Sequence, residues 1–273
     1  MALIGKTAII TGASRGIGAA LSIALAKQGA NIVVAAKSIE HQEHLEGTIF
    51  SVASKVEENG GKALPFQLDV QNEIRIKDMV KVTLKEFGPP QILINNASAL
   101  WWKSIENTPM KRFDRIHSIN ARATFACIKE CLPFMRESGW GHIVTHSPPI
   151  LLDKMAGMTA YNMSKFGMTL AALGAAQEYA GVVASNTIWP TTLIDTAATR
   201  NHNIGKLQDW RKPTIITDAI TEILKENPAN FTNNMLLDEP YLRSKGINDF
   251  EKYQCVPGVE PPPIFEVLHK ITY

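Results

Sequence analysis

Residues 7–18 read Thr7-Ala8-Ile9-Ile10-Thr11-Gly12-Ala13-Ser14-Arg15-Gly16-Ile17-Gly18, a short apolar run ending in a glycine-rich turn that leads straight into a helical pattern. A strand, a turn and a helix in that order aim the first backbone N–H groups of the helix at an anion, and glycines let a pyrophosphate approach the chain closely. The stretch therefore predicts a dinucleotide site, with Gly12, Ser14, Arg15, Gly16, Ile17 and Gly18 beside it.

Outward from this turn, apolar runs at 7–11, 31–35, 63–68, 92–95, 142–145 and 182–188 alternate with helical patterns at 17–28, 45–59, 74–87, 111–136, 156–179 and 214–226. A seventh strand is expected at 234–237. Repeated βαβ units imply right-handed crossovers and a parallel sheet covered on both faces. The expected fold is α/β, a Rossmann-type doubly wound parallel sheet of about seven strands with helices on both faces, in a single domain, with ligands at the C-terminal strand ends. Residues 1–239 are read as the dinucleotide-binding catalytic domain, and 190–212, lacking a clear period, as a mobile substrate loop within it. The proline-rich 240–273 reads as an extension packed on the domain or on a neighbouring subunit.

The 273 residues are 45% hydrophobic and 20% charged, which allows a packed interior and excludes a disordered chain. Their 28 basic and 26 acidic residues are scattered, so neither a nucleic-acid nor a membrane-surface footprint is expected, and no apolar run reaches membrane-spanning length. Cys127, Cys131 and Cys255 lack histidines at metal spacing and read as reduced packing residues, which predicts a cytoplasmic protein without a metal site. His41 and His44 read as solvated loop residues, and His146 as a packed strand histidine. Neither the first residues nor Ile271-Thr272-Tyr273 reads as a targeting signal.

Tyr161 and Lys165 are four apart, so on a helix both project from one face and reach the same bound nicotinamide ribose. A tyrosine ordinarily titrates near 10, and an adjacent ammonium with an oxidised nicotinamide is expected to lower that by roughly 1–3 pH units, toward proton exchange with a substrate oxygen. At the end of the second strand, where an acidic residue would hold the ribose hydroxyls of NAD, stand Ala36-Lys37-Ser38. Lys37 and Arg15 suit a 2′-phosphate, so NADP is expected over NAD. Trp101-Trp102, Met155, Met158 and residues 190–200 fall at C-terminal strand ends and predict a small apolar carbonyl or alcohol as substrate.

The glycine turn spaced Gly12-x-x-x-Gly16-x-Gly18, then Asp69, Asn95-Asn96-Ala97-Ser98, Asn120 and Tyr161-x-x-x-Lys165 stand in an order that resembles the short-chain dehydrogenase/reductase family over residues 5 to 195. The resemblance implies a carbonyl–alcohol oxidoreductase in which Tyr161 donates or accepts the proton and Lys165 binds ribose hydroxyls. It further implies that Thr11 braces the turn, Asp69 and Val70 border the adenine, Asn96 and Ala97 border the ribose, and Pro190 touches the cofactor. Asn120 would open its helix for a water that links Lys165 to solvent. The family's fourth catalytic member is a serine thirteen residues before the tyrosine; here that position is Pro148, and Ser147, the nearest hydroxyl, is expected to take the role of binding the substrate oxygen.

Ser147-Pro148-Pro149, Ala35-Ala36-Lys37, Trp189-Pro190 and residues 231–239 resemble a narrower subgroup, that of the hydroxysteroid-dehydrogenase-like peroxisomal proteins and the bacterial citronellol/citronellal dehydrogenases. That likeness implies a terpenoid, fatty or steroid-like substrate and, with no sterol-carrier module following, a stand-alone enzyme of bacterial type. Family members form homodimers or homotetramers through their two long helices. Two other readings compete: a catalytically weak NADP(H)-binding sensor or interaction protein, motivated by Pro148, and an enoyl reductase, disfavoured because short-chain enoyl reductases usually space tyrosine and lysine by seven.

Overall fold

A computed structural model describes residues 3–41, 45–152 and 155–269. The strands are β1 (Thr7–Thr11), β2 (Asn31–Ala36), β3 (Lys62–Gln67), β4 (Ile92–Asn95), β5 (Gly141–His146), β6 (Val183–Trp189), β7 (Leu193–Ile194), β8 (Trp210–Arg211) and β9 (Met235–Leu237). The helices are α1 (Gly16–Lys27), α2 (Ile49–Glu58), α3 (Glu73–Phe87), α4 (Met110–His117), α5 (Ala123–Glu137), α6 (Thr159–Glu178), α7 (Ala197–Asn201), α8 (Thr214–Ile223), α9 (Asp238–Ser244) and α10 (Ile264–His269). Seven strands form one parallel sheet in the order β3-β2-β1-β4-β5-β6-β9. The order reverses between β1 and β4, which opens a crevice at their C-terminal ends.

Side chains alternate across each strand, so one strand serves two cores. From β1, Ala8 and Ile10 join Leu21 and Leu25 of α1 and Ile216 and Ile220 of α8, whereas Ile9 joins Met79 of α3 and Cys127, Cys131 and Met135 of α5. Burial on both faces explains why the strands read as continuous apolar runs. It also pushes the Cys127 thiol up to about 12, in keeping with its packing role.

Two regions differ from the expected pattern. The single helix expected at 111–136 is α4 and α5 joined by a π turn, Ser118–Arg122, around Asn120. The 190–212 stretch is structured as β7, α7 and β8, with β7 and β8 paired in parallel. Residues from the C-terminal extension strap it down: Ile264 N donates to Thr191 O at 2.8 Å, and Thr192 bridges Pro263 while Arg211 bridges Gln254. Beneath the strap Arg211 is wholly buried and paired with Glu239 and Glu260. Among the described residues no helix is long and apolar enough to cross a membrane.

His142, on β5, is wholly buried, with Nε2 at 3.2 Å from Glu226 O and its ring against Trp140. Burial lowers its pKa to about 4, the hydrogen bond to Glu226 opposing the shift. In the unfolded chain the imidazole takes up a proton below about 6.5, so stability present above that pH is lost as pH falls toward 4. The loss attributable to this group is about 3 kcal/mol. In urea titrations across that window, His142→Gln should show a flatter dependence of stability on pH than the parent; an unchanged slope would contradict this.

Candidate active site

The turn after β1 folds onto the residues after β4. Thr11 Oγ1 accepts from Asn96 N and Ala97 N, both at 3.1 Å, and donates to Ile94 O at 3.2 Å, while Asn96 Nδ2 donates to Thr11 O at 3.0 Å and Gly12 O at 3.2 Å. Thr11 thus braces the turn from behind. Gly12 has φ +67°, and a Cβ there would stand 2.9 Å from Ala97 Cα; one on Gly18 would stand 2.5 Å from Gly12 O. A side chain at either place would push the turn off its support. Arg15, the N-cap of α1, makes no side-chain cap bond and the first turn of α1 holds no acidic residue, so its free N–H groups suit a diphosphate.

These residues open onto a cavity of about 490 Å³ along the crevice. Gly12, Ser14, Gly16 and Ile17 line its middle, and Arg15, Lys37, Asp69 and Val70 its outer end. Arg15 is anchored to Ser38 Oγ at 3.0 Å and Gly47 O at 3.1 Å. Lys37 Nζ pairs with Asp69 Oδ2 at 2.9 Å. Burial alone would raise the Asp69 pKa, but hydrogen bonds from Lys37 and Gln71 hold it below the ordinary carboxylate value. Asn96, Ala97 and Pro190 lie along the same cavity toward its inner end. A glycine cradle, an uncapped helix start and two cations at the outer end together fit a dinucleotide.

The inner end is formed by Tyr161 and Lys165 of α6, both buried, with Trp102, His146 and Trp189. Lys165 Nζ donates to His146 O at 2.6 Å and lies 5.1 Å from the Trp189 ring centre. Burial lowers its pKa to about 7. Without the positive charge of an oxidised nicotinamide, enclosure of the phenol raises the Tyr161 pKa well above 10, opposed by the Ser98 side chain. Loss of solvent around the oxygen outweighs the neighbouring cation, whose ammonium is turned to a backbone carbonyl.

His146 is neutral, its pKa lowered to about 3 by burial and then by the Lys165 charge, so it is no general base; its Nδ1 lies 3.4 Å from Asn96 Oδ1. Asn120 is wholly buried behind the cavity: its Oδ1 accepts from Ala99 N at 2.8 Å, and its Nδ2 donates to Ala99 O at 3.0 Å and Ser164 Oγ at 2.9 Å.

Ser147 is not brought to this cavity. It is wholly buried, and its Oγ accepts from Thr169 Oγ1 at 2.9 Å. Of the tryptophan pair only Trp102 faces the cavity, its ring edge-on to Tyr161 at 6.2 Å; Trp101 Nε1 donates to Thr108 Oγ1 at 3.2 Å and its ring lies under Arg112. Beyond Tyr161 a smaller cavity of about 50 Å³ is lined by Pro148, Met158, Phe166, Ile264 and Phe265. Ser98 and Trp189 stand in the sequence reading only as ends of quoted motifs, without a role, and Ile264 is not singled out there. Their place within those motifs was the available signal; Ile264 carried none. Among the described residues no group of three or more His, Cys, Asp or Glu could hold a metal ion, and His44 lies outside them.

The family model described as short chain dehydrogenase matches residues 6–206. Hydroxysteroid dehydrogenase-like protein 2 of Rattus norvegicus is 43% identical over 259 residues, 94% of this chain and 49% of the rat protein. Its Homo sapiens namesake is 41% identical over 266 residues, 96% of this chain and 63% of the human protein. The chain thus spans about half to three-fifths of these relatives' length. A crystal structure of a putative dehydrogenase from Xanthomonas campestris superposes with a TM-score of 0.92 at 39% identity, covering 96% of this chain and 98% of that one. A short-chain dehydrogenase from Mycobacterium thermoresistibile gives 0.89 at 42% identity, covering 95% and 94%. With the phosphate turn, the Tyr161 and Lys165 pair and the switch-point cavity all in one crevice, the chain belongs to the short-chain dehydrogenase family, in its hydroxysteroid-dehydrogenase-like subgroup.

Proposed function

We propose that the protein interconverts a carbonyl and an alcohol with NADP(H), on an apolar terpenoid, fatty or steroid-like substrate, with Tyr161 as proton donor or acceptor. The observation that carries this reading is one continuous cavity with Tyr161 and Lys165 at its inner end and Arg15 and Lys37 at its outer end. When bound, the nicotinamide supplies or takes the hydride. Arg15 and Lys37 hold the 2′-phosphate, the turn from Gly12 to Ile17 holds the diphosphate, Asp69 and Val70 border the adenine, and Asn96, Ala97 and Pro190 flank the nicotinamide ribose.

In reduction Tyr161, kept protonated by its burial, gives its proton to the carbonyl oxygen as the carbon becomes a carbinol; in oxidation it takes the proton back. Lys165, with a pKa near 7, binds ribose hydroxyls and returns a proton to Tyr161 at neutral pH. The π turn at Asn120 supports a route for that proton to solvent through the opened helix backbone. Trp102, Met158 and Phe265 favour an apolar chain beside the reacting carbon. Phe125 on α5 and Met163 and Leu170 on α6 are exposed apolar residues that support a homodimer or homotetramer through the two long helices.

The substrate assignment is tested by NADPH oxidation with aldehydes of increasing chain length. Each methylene that enters the cavity should raise kcat/KM roughly fourfold until the pocket is filled. A rate indifferent to chain length, or highest for short polar aldehydes, would overturn the apolar assignment.

A further inference from the structure

Hydride addition puts negative charge on the carbonyl oxygen, and a site with two preorganised donors stabilises that charge better than one. The family's serine position holds Pro148, and the hydroxyl of Ser147 is buried against Thr169. Neither offers a second donor beside Tyr161.

Ser98 does. It follows Asn95-Asn96-Ala97 at the end of β4, is exposed, and lines the same cavity as Tyr161, where its side chain opposes the rise of the phenol's pKa. Its backbone is pinned on both sides. Ala97 N donates to Thr11 Oγ1 at 3.1 Å, and Asn120 clasps both Ala99 N and Ala99 O, at 2.8 and 3.0 Å. A hydroxyl carried between two anchored residues keeps its place without help from the substrate, which is the condition for preorganised stabilisation.

We propose that Ser98 is a catalytic residue whose hydroxyl, together with that of Tyr161, holds the reacting oxygen, the role expected of Ser147. The proposal rests on the carbonyl–alcohol reading. Tyr161 transfers the proton that ends on the alcohol oxygen, the reduced nicotinamide is the source of the hydride, and Ser98 donates a hydrogen bond while keeping its own proton. In oxidation the same hydroxyl stabilises the tyrosinate and opposes the effect of burial. Asn120 is then a positioning residue as well, acting on Ser98 through Ala99.

Ser98→Ala, Ser98→Thr and Ser147→Ala would be compared in the NADPH-bound full chain. Ser98 is exposed, so its truncation should leave the fold intact. Ser98→Ala should lower kcat by about 10²-fold with an unchanged NADPH dissociation constant, and shift the pH profile of alcohol oxidation upward. It should also weaken binding of an apolar carboxamide, whose oxygen stands in for the carbonyl, by roughly tenfold. Ser98→Thr should recover most of both losses, and Ser147→Ala should keep the parent kcat. Parent values of kcat, pH profile and carboxamide affinity in Ser98→Ala, with Tyr161→Phe inactive, would overturn the role of Ser98 and leave the carbonyl–alcohol reading standing. Absence of Tyr161-dependent turnover in the parent would overturn both.

Discussion

Tyr161→Phe is expected to lower turnover by roughly 10²–10⁴-fold while leaving NADPH affinity at the parent value. The substitution removes one oxygen. The ring that it leaves still packs edge-on to Trp102 and among Met158, Leu193 and Ile264, so the fold and the cofactor cradle lose nothing that they rest on. What disappears is the only phenol among the described residues that line the cavity, beside Ser98. His146 is a poor substitute: it is held neutral far below its ordinary pKa, and its Nδ1 is directed to Asn96. Lys165 is turned to the His146 carbonyl. Steady-state turnover and a fluorescence titration of NADPH on the same preparation separate the chemical loss from any loss of binding. Parent-level turnover in Tyr161→Phe would contradict the assigned role.

The second large effect is on cofactor choice. Lys37→Asp should weaken NADPH by about 10²-fold or more and strengthen NADH. Charge-assisted hydrogen bonds contribute roughly 1.5–3 kcal/mol, and a factor of ten in affinity corresponds to about 1.4 kcal/mol. Lys37 sits 2.9 Å from Asp69, so the new carboxylate would join an existing one at the outer end of the cavity. There the pair repels a 2′-phosphate, while a carboxylate at the end of β2 accepts hydrogen bonds from free ribose hydroxyls. Arg15→Ala should weaken NADPH less selectively, because Arg15 also ties the turn to Ser38 and Gly47. Equal affinities of the parent for NADPH and NADH would refute the preference.

Much of this was legible in the residues. β1 and its turn were readable because strand, glycines and helix are contiguous, and two-faced burial makes β1, β2 and β4 visible apolar runs. Asn120 was reached only through the family resemblance, which implied an opened helix there, and it lies in a π turn. The unreadable features depend on distant partners. β7 and β8 are two residues each, too short to show a period, and are held by Pro263 and Gln254 far along the chain. The direction of the Tyr161 shift depends on enclosure, which spacing does not report. Ser147 was chosen by proximity to a missing serine, but one residue along a strand reverses the face a side chain points to, and its hydroxyl meets Thr169 instead. Ser98 was quoted only as the end of a motif, since its approach to Tyr161 joins the end of β4 to α6. Adjacency likewise could not tell Trp102, which faces the cavity, from Trp101, which does not.

The most direct test is isotopic. With NADPH carrying deuterium at the transferable position of the nicotinamide and an apolar aldehyde as substrate, the label is predicted on the carbinol carbon of the product, with the parent protein and not with Tyr161→Phe. Tight NADPH binding without label transfer to any member of a broad panel of carbonyls would contradict the proposed reaction and favour a cofactor-binding sensor.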